Sequence, residues 1–366
     1  MILHRYLPMG VHTRRFNTGG TYLLMAHNKN IDLMKGISIL FVVIIHSLKD
    51  DTLRAIGGPF FILQAVPVFL IISGYNHSQS YSRSGLLSLK DFYRPSMLLK
   101  KFYRLLPIAL IIYALQAIIT PDGRSFFFYL IGRGGFGGYY ISIMIQAIFL
   151  LPLLYWFSRK TTPLIMLGVS FIFNLGYEYA FYVWEFPSYL YRLLVFRYLF
   201  ALALGVWYFF DQNYSYTKKL TVVAAFFSAC YLVGVHYFEW TVPFYSFGTS
   251  WRGQNPLSFF YALWLFRLGL THFSSSSFNK IKEPLVFIGK RSYAIFIVQM
   301  IYFWLLSRHI EWPEYYFLLD LIVSCTIGVG LYYLDNRFIS GKTKNLYLAC
   351  EKIINFEIFE QVFYTL

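Results

Sequence analysis

Two basic side chains of different chemistry, Lys35 and His46, lie at the ends of a short stretch that is otherwise apolar or small. Their separation of eleven residues is close to three helical turns, or about 16 Å, so both project from one helix face. An imidazole can accept a proton from a hydroxyl near neutral pH, particularly when a carboxylate orients the ring. Asp50 and Asp51 are the acidic candidates, and Asp50, four residues after His46, is expected on the same helix face. The segment therefore predicts general-base chemistry at His46.

Each of these two basic residues also has a simpler interpretation. Lys35 could anchor a membrane helix by extending its ammonium group to the lipid head groups. His46 could be a histidine that only forms a hydrogen bond within a helical bundle. The spacing alone leaves these alternatives open.

A second group of candidates could bind an anion or donate hydrogen bonds. Lys101 and Arg104 share a helix face and suit phosphate groups, although ordinary anchoring by basic residues at the cytoplasmic surface explains them as well. Ser73 and Tyr75 carry hydroxyl donors. Ser73 and its neighbour Gly74 are also small enough to allow close packing of two helices.

Arg197 is the charged residue hardest to explain by anchoring, because an apolar run follows it directly. An ionised group at such a position is costly, and it indicates a functional site or an ion pair. Glu178, Glu185 and Asp320 are its candidate partners. Gln299, in the middle of another apolar run, should face the interior of the bundle.

The composition indicates a membrane protein. Of 366 residues, 57% are hydrophobic, 22% are aromatic and only 13% are charged, which argues against a water-soluble enzyme. The net charge of +15 would suggest nucleic-acid binding in a soluble protein, but basic cytoplasmic loops explain it here, and we expect no nucleic acid. The spacing of histidines and of the three cysteines predicts neither a metal site nor a disulfide framework.

The fold that must position these residues is predicted to be all-α, a polytopic integral membrane protein with about ten transmembrane helices. A spanning helix needs about 20 apolar residues. The candidate spans are 35–54, 59–77, 104–120, 137–157, 161–178, 192–210, 219–238, 256–272, 285–307 and 315–335.

The distribution of basic residues predicts the orientation and the domain limits. With the N- and C-termini in the cytoplasm, about three quarters of the 32 Lys and Arg residues fall on the cytoplasmic side. We expect a basic arm at 1–27, one transmembrane domain at 28–338 and a cytoplasmic tail at 339–366. Alternatively, the sequence begins upstream of the true initiator, which would be Met25.

Five segments in this order, between residues 28 and 335, resemble the acyltransferase 3 family, the multi-span O-acyltransferases of bacterial surface polysaccharides. The segments are Asp32-x-x-Lys35-Gly36 with His46, Pro67-Val68-Phe69 through Ser73-Gly74-Tyr75, Lys101-x-x-Arg104 with Pro107, Arg197 through Gly205, and Gly289-Lys290-x-Ser292-Tyr293.

This resemblance implies an enzyme of the cell (plasma or inner) membrane that uses an acyl-CoA, usually acetyl-CoA, as its donor substrate. The acceptor would be a sugar hydroxyl of a cell-surface or lipid-linked polysaccharide. His46 matches the family's catalytic histidine, and Lys35 falls where the family has Arg or Lys. Lys101 and Arg104 fall on its paired basic positions, whereas Gln299 falls where many members carry His.

The residue types and the family resemblance together suggest a role for each candidate. His46 is the base, and Asp50 or Asp51 orients it. The donor is held by three cations, Lys35, Lys101 and Arg104. Arg197 stabilises charge along the path, and Ser73 or Tyr75 donates hydrogen bonds.

The sequence is compatible with two rival functions. One is a polysaccharide or lipid-linked sugar exporter, because intramembrane histidine and arginine also serve proton relays. The other is a structural partner in a polysaccharide synthase complex, in which the same motifs would be inactive.

Overall fold

The computed structural model describes residues 28–339, apart from 87, 120–136, 212–214, 249–251, 274–278 and 310–312. The predicted arm at 1–27, the alternative start Met25 and all but the first residue of the predicted tail at 339–366 lie outside the described residues. The described part is helical and contains no strand, which confirms the all-α prediction.

The α-helices are α1 (Lys29–Ser47), α2 (Asp50–Ala55), α3 (Ala65–Ser84), α4 (Leu89–Phe92), α5 (Pro95–Ile119), α6 (Gly138–Lys160), α7 (Pro163–Val183), α8 (Ser188–Leu193), α9 (Leu199–Asp211), α10 (Ser215–Tyr237), α11 (Phe259–His272), α12 (Asn279–Gly289), α13 (Ser292–His309) and α14 (Phe317–Leu334). A 3₁₀ turn, Val195–Tyr198, leads into α9, and a π-helical turn, Asp335–Ile339, follows α14.

Seven helical segments of the described chain are long and apolar enough to cross a membrane. Two further helical segments, Lys280–Gly289 and Ser292–Leu306, are long and apolar enough only when taken together. They meet at an angle of 69°, as in a broken span or a re-entrant loop. The predicted spans 192–210 and 256–272 form the shorter helices α9 and α11, of 13 and 14 residues. The chain is therefore a multi-pass membrane protein, while the count of ten and the orientation of its termini stay predictions.

The first helix differs from its predicted bounds. α1 begins at Lys29, where the side chain of Asn28 caps it by accepting a hydrogen bond from the Asn30 amide. It ends at Ser47, because Leu48 has an extended backbone, and Asp50 begins α2. The single predicted span 35–54 is therefore wrong at both ends.

Two contacts between helix backbones hold the bundle together. α3 and α9 meet at Gly74 and Gly205, where a Cβ on Gly74 would lie 2.2 Å from the Leu202 carbonyl oxygen. α1 and α12 meet in the same way, since a Cβ on Gly36 would lie 2.1 Å from the Leu285 carbonyl oxygen. Small residues allow this approach, as predicted for Gly74, and the second contact fixes the end of α12 against the turn that carries Lys35.

The outer surface of the bundle is apolar. Large hydrophobic side chains on α5, α7, α10 and α14 are 63–75% exposed, among them Ile118, Ile172, Phe227 and Ile322. A soluble monomer rarely leaves such surface uncovered, so these faces suit contact with lipid.

The contact between α3 and α9 predicts the effect of adding one methyl group. Gly74→Ala forces two backbones apart, and we expect the free energy of unfolding to fall by about 1–3 kcal/mol. Gly176→Ala in α7 is the matched control, because a Cβ there meets nothing within 4 Å, and alanine favours a helix by up to about 1 kcal/mol. Thermal unfolding in detergent measures both variants. A Gly74→Ala protein that melts at or above the wild-type temperature contradicts the assignment.

Candidate active site

A cavity of about 540 Å³ lies within the bundle. Its walls come from α1, α3, α5, α6, α13 and the segments next to them. Five of the predicted site residues line it, namely Lys35, His46, Ser73, Lys101 and Arg104. The structure therefore brings together residues that are up to 69 positions apart in the sequence.

His46 lies at one end of this cavity. Its ring is partly buried, with its centroid 5.7 Å from that of Phe303 on α13. Tyr139, Tyr140 and Phe296 also line the cavity. Because Lys35 and His46 both line it from α1, the helical spacing predicted their shared face correctly.

The opposite end of the cavity is cationic. Lys35, Lys101 and Arg104 are joined there by Lys290 and Arg291, while Asp335 is the one carboxylate among the lining residues of the described chain. Contacts of neighbouring residues fix the segments that carry these cations. Gly289, next to Lys290, packs against the backbone of the Lys35 turn, and Tyr293 donates a hydrogen bond of 2.5 Å to the carbonyl of Leu105, next to Arg104.

Lys35 and Lys101 are each held by a neighbouring side chain. Lys35 forms an ion pair of 3.2 Å with Asp32, three residues earlier on α1, whose side chain is almost fully buried. Lys101 donates a hydrogen bond to the Tyr81 hydroxyl and lies over the Tyr81 ring, 3.9 Å from its centroid. Both ammonium groups are therefore positioned before any ligand arrives.

His77 is a lining residue that the sequence analysis missed, because the predicted second span ended at residue 77. α3 continues to Ser84, so Ser73, Asn76 and His77 share one polar face that lines the cavity. The Nδ1 of His77 lies 2.9 Å from the carbonyl oxygen of Ser73. Since a carbonyl only accepts, Nδ1 carries the proton in this bond, and Nε2 is the acceptor of the neutral ring.

The predicted carboxylates lie elsewhere. Asp50 and Asp51 are exposed residues of α2 and are absent from the cavity wall, and Asp51 pairs with Arg54 at 2.6 Å. The prediction that Asp50 shares a helix face with His46 is wrong, because α1 ends at Ser47 between them. Their orienting role has no support in this geometry.

Tyr75 also lies outside the cavity wall, unlike its neighbour Ser73. Its buried ring packs among aromatic residues, with ring centroids 5.8 Å from Tyr208 and 6.1 Å from Phe266. Its observed surroundings are those of a packing residue.

Arg197 lies behind the cavity wall, fully buried. Its guanidinium lies over two tyrosine rings, 4.6 Å from the centroid of Tyr191 and 4.7 Å from that of Tyr198. Tyr198 in turn donates a hydrogen bond of 2.9 Å to Gln254, which lines the cavity. Arg197 is therefore not a lining residue, and Tyr198 connects it to one that is.

Glu178 is the predicted partner that the structure places beside Arg197. Its buried carboxylate accepts hydrogen bonds from the Tyr191 hydroxyl at 2.7 Å and the Ser246 amide at 3.2 Å, and it attracts the Arg197 charge. Glu185 is exposed at the end of α7, and Asp320 accepts a hydrogen bond from Tyr302. Gln299 is fully buried in the bundle, as predicted.

The fold and the cavity define a multi-pass helical membrane protein with a strongly basic site that contains histidine. The family model described as an acyltransferase domain matches residues 28–334, and the chain belongs to this acyltransferase 3 family, as its sequence motifs predicted. No curated protein and no solved structure matches the chain.

The Arg197 cluster predicts a coupled loss of stability. Arg197→Met leaves Glu178 buried without its counter-charge, and we expect the free energy of unfolding to fall by about 3–5 kcal/mol. Adding Glu178→Gln removes the stranded charge, so the double variant should lose less than the sum of the single losses. Thermal unfolding of all three variants checks this. Arg192→Met, which removes an exposed arginine, is the matched control. Additive losses in the Arg197 and Glu178 variants would show that these two charges do not interact.

Proposed function

We propose that this protein is a membrane O-acyltransferase that transfers an acetyl group from acetyl-CoA to a sugar hydroxyl of a cell-surface or lipid-linked polysaccharide. One observation supports the proposal above all. One cavity is lined by His46 and by three cations, Lys35, Lys101 and Arg104, and Lys35 lies about three helical turns from His46 along α1. A donor with anionic phosphates and a distant thioester fits that division of charge.

The cationic end suits the nucleotide part of the donor. Lys35, Lys101 and Arg104 offer charge-assisted hydrogen bonds to phosphate oxygens, and their neighbours hold Lys35 and Lys101 in place. The bias of basic residues favours a cytoplasmic position for this end, on the side where acyl-CoA is made. The pantetheine arm would then run along α1, over the distance of about 16 Å that separates the levels of Lys35 and His46.

The histidine end suits the transfer itself. A ring nitrogen of His46 removes the proton from the acceptor hydroxyl as its oxygen attacks the thioester carbonyl carbon. The carbon–sulfur bond then breaks, and the proton passes from the imidazolium to the departing thiolate. An ester and free CoA result, so atoms and charge balance without a further reactant.

Two polar residues can assist this reaction. Ser73 lines the cavity, and its hydroxyl can donate a hydrogen bond to the bound acetyl-CoA. Arg197 places a positive charge behind the cavity wall. Its guanidinium lies over the Tyr198 ring, and Tyr198 donates a hydrogen bond to Gln254 on the wall. We assign no contact with substrate to Tyr75, Asp50 or Asp51.

The base assignment predicts the outcome of a transfer assay. Purified protein is incubated with labelled acetyl-CoA and candidate glycans, and alkali-labile label on the glycan is counted. His46→Ala should lower transfer by at least roughly a hundredfold, because general-base catalysis contributes about that much.

His272→Ala, at the exposed end of α11, is the matched control and should keep full activity. Normal transfer by a folded His46→Ala protein would refute the base assignment. Movement of unmodified glycan across a vesicle membrane, without acetylation, would instead support an exporter.

The donor-binding assignment predicts a change in KM. Arg104→Ala removes a cation from the cavity wall, and we expect the KM for acetyl-CoA to rise roughly tenfold while kcat changes less. Arg94→Ala removes an exposed cation that pairs with Asp91 and should leave both constants unchanged. Equal effects of the two substitutions would show that only the overall charge matters.

A further inference from the structure

The break between α12 and α13 brings a second group of anion-binding elements to the cavity. The two helices meet at 69°, and the residues of the break, Lys290 and Arg291, both line the cavity. The first residues of α13, 292–294, line it too. None of these residues has a role in the function proposed above.

The position of the break is fixed from two sides. A Cβ on Gly289 would lie 1.7 Å from the Asp32 carbonyl oxygen, so the end of α12 rests against the backbone of α1. Tyr293 donates its hydroxyl to the Leu105 carbonyl at 2.5 Å, which ties the start of α13 to α5. The break is therefore held between the turns that carry Lys35 and Arg104.

Arg291 is held rigidly in the break. Its guanidinium lies 3.5 Å from the centroid of the Phe287 ring and about 5 Å from those of Tyr332 and Tyr333. It also donates hydrogen bonds of 2.8 Å to the Phe287 carbonyl and 2.7 Å to the Tyr333 hydroxyl. A cation fixed in this way needs little further ordering when an anion binds.

The start of α13 adds to the positive potential. The Ile295 amide donates the first hydrogen bond of the helix, to the Arg291 carbonyl, so the amides of residues 292–294 precede the helical ladder. The beginning of an 18-residue helix attracts anions through these amides and the helix dipole. Here that end faces a cavity whose wall already carries Lys290 and Arg291.

The charges of the two sides indicate what binds there. Asp32 partly compensates Lys35, which leaves Lys101 and Arg104 as the main cations of the first group. Coenzyme A carries two separate anionic groups, a diphosphate and a 3′-phosphate monoester of about −1.5 to −2 charge. Two cations cannot neutralise both groups, and the break supplies two more.

We propose that residues 290–294 form a second phosphate subsite, which binds one phosphate group of the donor nucleotide while Lys101 and Arg104 bind the other. This inference rests on the donor assigned in the proposed function. It assigns a binding role to the Gly289-Lys290-x-Ser292-Tyr293 segment.

Direct binding of free CoA to the purified full-length protein in detergent, measured by titration calorimetry, tests the subsite without catalysis. Lys290→Ala should weaken CoA binding roughly tenfold, and Lys290→Arg should restore most of it. Lys280→Ala removes the same charge from an exposed position near the start of α12, outside the cavity wall, and it should bind CoA like the wild type.

Dephospho-CoA then identifies the phosphate that is bound. If Lys290→Ala weakens CoA but not dephospho-CoA, the subsite binds the 3′-phosphate, and if it weakens both equally, the subsite binds the diphosphate. Unchanged CoA binding by Lys290→Ala, or an equal loss in Lys280→Ala, overturns the subsite and leaves the proposed function standing. A wild-type protein that binds no CoA overturns both.

Discussion

Mutual repulsion among five cations on the wall of one cavity is the constraint on which this site depends. Lys35, Lys101, Arg104, Lys290 and Arg291 converge on one cavity, and Asp335 is the one carboxylate among its described lining residues. Like charges in a medium of low dielectric constant repel strongly unless counter-charge or water reaches them. Asp32 and the rings of Tyr81 and Phe287 relieve part of this cost. An anionic ligand would reduce much of the remaining repulsion energy. This reduction favours the binding of a phosphorylated donor.

Close backbone contacts at glycines pack the segments of the family motifs against one another. Gly74 in the second motif meets Gly205 in the fourth, and Gly36 in the first lies against the end of α12, where the fifth begins. Motifs far apart in sequence are thus neighbours in space. The small residues set the distance between helices, and the charged residues beside them then face the same cavity.

The sequence predicted those features that follow from helical periodicity, and it missed those that depend on where helices end. The shared face of Lys35 and His46 follows from 3.6 residues per turn, and the burial of Gln299 follows from the cost of a polar group in lipid. The relation of Asp50 to His46 failed, because apolar composition does not reveal the break at Leu48. His77 was missed because its polar neighbours resemble the end of a span, although their i, i+3, i+4 spacing from Ser73 was a usable signal.

In the proposed reaction, one donor molecule spans the cavity from the cations to His46. Its most direct test is a cryo-electron microscopy structure of the His46→Ala protein with acetyl-CoA, in which transfer is blocked. We expect phosphate density between Lys101, Arg104 and the start of α13, and a thioester within reach of the vacated imidazole position. Nucleotide density outside this cavity, or a thioester beside the cations, would show that the donor does not bind in this way.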